Sequence, residues 1–193
     1  MKTDMHYHFL IHKPYGYLSQ FINNGPKKGK KKLLGELYDF PEGTMAIGRL
    51  DEPSEGLLLL TTDGMMSEAV RGKKVDKEYY AQIDGLISDT ALEQLKKGVE
   101  IGFNGKRYTT KKCLVKRIAD PLFPERSQKI RDAKHGPTEW ISITLNEGKF
   151  RQVRKMTAAV GYPTLRLVRV RIGKYSLTDL KPGLVTSLKE ISV

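Results

Sequence analysis

The sequence contains one cysteine, Cys113, in 193 residues. That excludes an intramolecular disulfide and any cysteine-based zinc finger. Long apolar runs are scarce: the longest purely apolar stretch, residues 57–60, is far too short to span a bilayer. The opening residues Met1-Lys2-Thr3-Asp4-Met5-His6 lack the apolar core of a secretory signal. No membrane partner and a reducing cytoplasm are therefore expected. Acidic charge is in the minority, with 22 Asp and Glu against 34 Lys and Arg and a formal net charge of +12. Such an excess favours a phosphate-backbone partner over an acidic protein or a small neutral metabolite. A basic but merely solvated surface is the plainer alternative. The basic residues are not confined to one terminal tail, which supports a folded binding face.

Cofactor signatures are missing as well. Residues 48–64 do not match the dinucleotide fingerprint, and no phosphate-cradling loop ends in Gly-Lys-Ser or Gly-Lys-Thr. His6, His8 and His12 raise a metal reading, but no carboxylate cluster lies nearby, and polar histidines at a strand edge explain them better. His135 has no recognisable nucleophile partner, so no Ser-His-Asp triad is indicated.

What is present begins with strand patterns. Residues 7–11 alternate, with Tyr7, Phe9 and Ile11 on one face, and end at Lys13-Pro14-Tyr15-Gly16. The basic stretch 27–32 reads as a loop, either solvated or touching phosphate. Residues 57–62 read as a buried strand stopped by an Asp63-Gly64 turn, with helical character over 65–71. Residues 78–83 read as a strand. Ser88, Asp89 and Thr90 offer helix N-caps, Thr90 with Glu93 fits a capping box, and Gly98 is placed to end that helix. Strands at 99–103 and 108–115 flank an Asn104-Gly105 turn. Residues 120–137, carrying Pro121, Pro124 and Pro137 with Arg126, Lys129 and Arg131 between, read as an extended arm. A strand follows at 140–145. A helix is expected over 150–160, with Val153, Met156 and Val160 as its apolar stripe and Arg151, Arg154, Lys155 and Ala158 on another face. Leu167, Arg169 and Arg171 should share one strand face, adding a second cationic stripe. The class is α+β with a mixed sheet.

The most informative segment is Gly48-Arg49-Leu50-Asp51-Glu52-Pro53-Ser54-Glu55-Gly56, which runs into four leucines. It holds one aspartate in a Gly- and Pro-bounded loop against an apolar run. In a strongly basic protein, such a carboxylate points to chemistry on a polyanion. A turn residue with no chemistry is the alternative.

Here the residues match a family. Gly48-Arg49-Leu50-Asp51, followed by Ser54-Glu55-Gly56-Leu57-Leu58-Leu59-Leu60-Thr61, resembles the catalytic motif of pseudouridine synthases of the ribosomal small-subunit synthase A type. Lys77-Glu78-Tyr79 resembles the family's Lys-x-Tyr motif. Glu147-Gly148-Lys149-Phe150-Arg151-Gln152-Val153-Arg154-Lys155-Met156 resembles its Glu-Gly-x-x-x-Gln-Val-Arg-Arg-Met motif, and Leu165-Arg166-Leu167-Val168-Arg169-Val170 resembles the Leu-x-Arg segment that follows. Order and spacing agree from Lys13-Pro14 to Leu180-Lys181-Pro182-Gly183. Three departures are small: Ser54 for a frequent threonine, Arg151 for histidine or asparagine, and Lys155 for the second arginine. The arm, with Pro124, Ile130-Arg131 and Pro137-Thr138 ahead of Trp140, resembles a branch acting on the large ribosomal subunit. A single catalytic domain over residues 1–193 is expected, without the N-terminal S4-type RNA-binding module of many relatives.

The resemblance implies a mostly antiparallel mixed sheet with flanking helices and a central active-site cleft. It implies a cofactor-free isomerase, without metal or nucleotide, that converts a uridine of 23S ribosomal RNA to pseudouridine. The N1–C1′ bond breaks, the uracil rotates, and C5 joins C1′. Asp51 becomes the catalytic carboxylate. It acts either by covalent attack on sugar or base, or by assisting glycosidic cleavage and removing a proton at C2′. Either role needs the charged carboxylate, which a nearby cation favours. Lys149 aligns with that cation, with Arg154 as the fallback. The base must be flipped from its stack. Tyr79 then stacks on it, Leu167 walls the pocket, and Arg49 holds the flipped backbone or fills the vacated space. Arg151, Lys155 and Arg169 are the RNA-contact candidates, together with residues 27–32. A monomer is expected. Two competing readings are a non-catalytic RNA-binding or ribosome-assembly protein, and a glycosidase-like enzyme using Glu52 or Glu55 as a second carboxylate.

Overall fold

Four consecutive leucines cannot alternate between core and solvent, so the strand that carries them must be covered on both faces. In the computed structural model, which describes residues 5–23, 31–72, 75–131, 133–178 and 180–192, all seven residues of this strand, Glu55–Thr61, are buried. It belongs to the first of two compact units, Met1–Val75 with Gly173–Val193; the second is Asp76–Ile172.

In the first unit, β1 (His8–Lys13) and β2 (Met45–Ile47) both run antiparallel to β3 (Glu55–Thr61). The strand Val185–Leu188 pairs antiparallel with β1. Phe9, Ile11, Leu34, Leu58 and Leu60 form a core cluster, joined by Phe21, Leu37 and Phe40. Phe9 and Phe40 meet edge to face at 5.3 Å. The other face of β1 holds His8, which shares a hydrogen bond with the Thr61 hydroxyl, and His12, whose Nδ1 donates to the Leu180 carbonyl at 2.7 Å. Asp63 proves to be a helix cap rather than a turn residue. Its carboxylate accepts the Met66 N–H at 3.0 Å at the start of α1 (Gly64–Gly72), and that bond holds its carboxyl below the usual value. A parallel bridge links Tyr17 to Lys32. Of the basic stretch 27–32, residues 27–30 lie outside the described residues. No helix among the described residues is long and apolar enough to cross a membrane.

In the second unit the strand order is β9 (Thr164–Ile172), β4 (Lys77–Asp84), β8 (Thr138–Leu145), β7 (Leu114–Ile118), all antiparallel. α2 (Asp89–Lys97) is capped by Ser88, which accepts the Ala91 N–H. The expected Thr90–Glu93 capping box is replaced, and Glu93 pairs instead with Lys96 at 2.7 Å. Gly98 ends the helix at φ 100°, and a Cβ there would lie 2.2 Å from the Thr110 carbonyl oxygen. The hairpin of β5 (Glu100–Phe103) and β6 (Lys106–Thr109) turns through Asn104 and Gly105, both at positive φ. The strand expected at 108–115 therefore splits, its end becoming the separate β7.

α3 (Gln152–Ala159) starts later than its periodicity indicates. Arg151 takes a left-handed conformation at φ 53° and leaves the helix face on which it was expected. Val153 and Met156 are buried as expected. The arm has no regular structure over residues 119–131, yet it is pinned to the sheet. Phe123 packs on Tyr80 and Trp140, under the Arg166 guanidinium, and Arg131 forms a bidentate pair with Asp84. The class is α+β, as expected.

Candidate active site

In the first unit, Gly48 at φ 75° turns the chain out of β2, a conformation that disfavours any side chain. Arg49 is exposed and Leu50 is buried. The backbone on both sides of Asp51 is then tied down. The Ser19 hydroxyl accepts the Leu50 N–H at 2.9 Å and donates to the Leu50 carbonyl at 2.8 Å. The Glu52 carbonyl accepts the Gly16 N–H at 2.9 Å. Lys13, fully buried, directs its ammonium at the carbonyls of Pro14, Tyr17 and Glu52, at 3.0, 2.6 and 3.4 Å. Ser54 N–H closes the turn on the Asp51 carbonyl at 2.9 Å. Burying a lysine costs little only when its ammonium is so satisfied. Asp51 is half-buried at the tip of this braced loop. Glu52 forms an ion pair with Lys31 at 2.9 Å, and Glu55 is buried at the start of β3.

In the second unit, Tyr79 pairs across β9 with Arg169, and Ala81 pairs with Leu167. Paired residues share a face, so Tyr79, Leu167 and Arg169 come together, all buried. Tyr80 points the other way, toward Phe123. A β-bulge between Glu78 and Tyr79 overturns one expectation. It sets Arg171 opposite Glu78, with which it pairs at 3.1 Å, so Arg169 and Arg171 do not form one cationic stripe. Arg169 is a buried charge, and its field with burial lowers the pKa of Lys77. Burial is the larger cause, and Asp76 opposes both.

The loop before α3 is also braced. The Glu147 carboxylate accepts the Tyr108 hydroxyl at 2.6 Å, the Lys111 N–H at 3.0 Å and the Gln152 amide at 2.5 Å. Gln152 Oε1 takes the Lys149 N–H at 2.9 Å. The Lys149 ammonium lies 5.0 Å and 4.9 Å from the ring centres of Phe103 and Tyr108. Lys155 donates to the Gly102 carbonyl at 2.6 Å and Arg154 to the Thr164 carbonyl at 3.2 Å. Arg151 is exposed. Of the basic residues expected on RNA, Lys155 thus tethers the hairpin and Arg169 is enclosed. Ser19 and Glu147 act as supports, a role that no local pattern in the sequence marks. Ser19 touches a residue 31 positions away, and nothing local marks that pairing.

Residues 6–159 match the RNA pseudouridylate synthase family. The chain belongs to that family: it is an isomerase that forms pseudouridine in RNA. It is 41% identical over 191 residues to the ribosomal large subunit pseudouridine synthase E of Vibrio vulnificus (strain CMCP6), covering 95% of this chain and 74% of the relative. To the protein of the same name from Xanthomonas campestris pv. campestris it is 42% identical over 178 residues, covering 90% and 91%. A crystal structure of a pseudouridylate synthase shares the fold with TM-score 0.75 at 22% identity, over 97% of this chain and 72% of that one.

Proposed function

We propose that this enzyme isomerises one specific uridine of 23S ribosomal RNA, with Asp51 as its catalytic carboxylate. The names of the similar Vibrio and Xanthomonas proteins support a large-subunit substrate. The observation that carries the assignment of Asp51 is the anchoring of its neighbours. Leu50 and Glu52 are both held by main-chain hydrogen bonds to one segment, residues 13–19. A reactive group needs such fixed geometry, since small displacements are costly in rate.

Tyr79 stacks on the flipped uracil and Leu167 walls its pocket. Arg49, exposed beside Asp51, holds the displaced backbone. Lys149, with Arg154 as the alternative, is the cationic partner of the aspartate. Arg151 contacts phosphate. Lys155 and Arg169 act on RNA indirectly, the first through the hairpin and the second from within the sheet. The reaction uses no metal, nucleotide or redox cofactor. The enzyme works as a monomer in the cytoplasm.

The test is pseudouridine mapping of ribosomal RNA from cells with and without the gene. One 23S position should lose its modification and regain it with the parent gene but not with Asp51→Asn. An unchanged 23S map would overturn the substrate, and rescue by Asp51→Asn would overturn the catalytic residue.

A further inference from the structure

Ser19 is a polar side chain buried in the first unit, at 7% exposure. Nothing in the motifs that define the family match includes it. Its single oxygen performs two tasks at once, accepting the Leu50 N–H and donating its proton to the Leu50 carbonyl. A residue with both main-chain groups held by one hydroxyl cannot rotate about its own φ and ψ without breaking one of those bonds. Leu50 immediately precedes Asp51. On the far side, the Glu52 carbonyl is held independently by the Gly16 N–H.

We propose that Ser19 is a positioning residue for the isomerisation, acting through the Leu50 peptide to fix the direction in which Asp51 presents its carboxylate. The inference rests on the reading of Asp51 as the catalytic group. Ser19 itself touches neither base nor sugar. Its requirement is chemical: the side chain must be short, must donate and accept from one atom, and must fit a buried site. Threonine meets the first two demands and adds a methyl. Cysteine keeps the shape but forms weaker hydrogen bonds. Alanine leaves the Leu50 N–H and carbonyl unpaired in a buried place.

A purely structural serine would lower stability when removed, with kcat following only the folded fraction. A positioning serine lowers kcat in the folded enzyme. The two are separated by comparison with Ser67, another buried serine of the same unit, in α1, at 2% exposure. Ser19→Ala, Ser19→Thr, Ser19→Cys and Ser67→Ala are assayed beside the parent on the same RNA, below the melting temperature of each. Expected for Ser19→Ala is a fall in kcat of about 10- to 100-fold, the scale of a misplaced catalytic group, with KM and RNA affinity near parental. Ser19→Thr should recover most of the rate, Ser19→Cys should fall between, and Ser67→Ala should keep parental kcat.

Parental kcat in Ser19→Ala, or an equal loss in Ser67→Ala, would overturn the proposal. If Ser19→Ala does not fold, Ser19→Cys carries the test, and parental kcat in that variant has the same meaning. Asp51→Asn is run alongside. Activity in Asp51→Asn would sink the catalytic assignment itself. An inactive Asp51→Asn with a parental Ser19→Ala would sink only the inference about Ser19.

Discussion

Tyr79 of β4 lies directly across from Arg169 of β9, and both side chains are buried on the same face of the sheet. Tyr80, one residue on, faces the arm and packs at 6.1 Å from Phe123.

That division predicts opposite phenotypes for neighbouring residues. Tyr79→Leu should slow pseudouridine formation by the worth of one base stack, about 1–3 kcal/mol. Tyr80→Leu should leave the single-turnover rate near parental and loosen the arm instead. Single-turnover assays on both variants decide it, and equal losses would refute the assignment of faces.

Asp51→Asn should abolish product formation while leaving the circular dichroism spectrum and RNA binding unchanged. The loop is held on both sides of Asp51 through the main-chain groups of Leu50 and Glu52. A variant that fails to fold would show that the carboxylate builds the loop rather than using it.

The arm should be loosened by removing two of the contacts that pin it. Phe123→Ala deletes ring contacts worth about 0.5–1.5 kcal/mol each, and Arg131→Gln deletes the pair with Asp84. The double variant should be cut by protease within residues 120–131 at least several-fold faster than either single variant. Equal cleavage of parent and double variant would mean these contacts do not hold the arm.

The β5–β6 hairpin should stay docked within a pH window. Burial pushes the Glu147 carboxyl up, but the hydrogen bonds from Tyr108, Lys111 and Gln152, with the charge of Lys111, outweigh it and leave the carboxyl lowered. The stability this contributes is complete above the unfolded glutamate value, about 4.3, and is lost as pH falls through the lower folded value. The Tyr108 hydroxyl is held above the ordinary phenol value, chiefly by its bond to Glu147. Its contribution is complete below about 10 and is lost as pH rises through the higher folded value. NMR shifts of Gly102 and Gly105 followed against pH should show both limits. Glu147→Gln should remove the acid transition, and Tyr108→Phe the alkaline one. An acid transition surviving in Glu147→Gln would assign it elsewhere.

Elements with a strong local pattern were legible in the sequence. The leucine run of β3 could only be a covered strand, and the Asn104-Gly105 turn fixed the hairpin. Gly98 marks the end of α2 in the sequence, whereas Ser88, Asp89 and Thr90 all qualify as its N-cap and the structure selects Ser88. The family motifs marked Asp51, Tyr79 and Leu167, and register then placed the last two on one face. Charge was less readable. A lysine or arginine in a sequence looks solvated, yet Lys13 is enclosed by carbonyls and Arg169 by the sheet, and a one-residue bulge parts Arg169 from Arg171. Such outcomes depend on tertiary partners, and periodicity does not carry that information. Ser19 illustrates the limit, since its meaning comes wholly from a residue 31 positions away.

Hydrogen bonds from Lys13, Gly16 and Ser19 end on the main chain, at Pro14, Tyr17, Leu50 and Glu52. A main-chain carbonyl is the same whatever side chain it belongs to. What the segment 13–19 grips is thus the path of the loop, not the identity of the side chains along it.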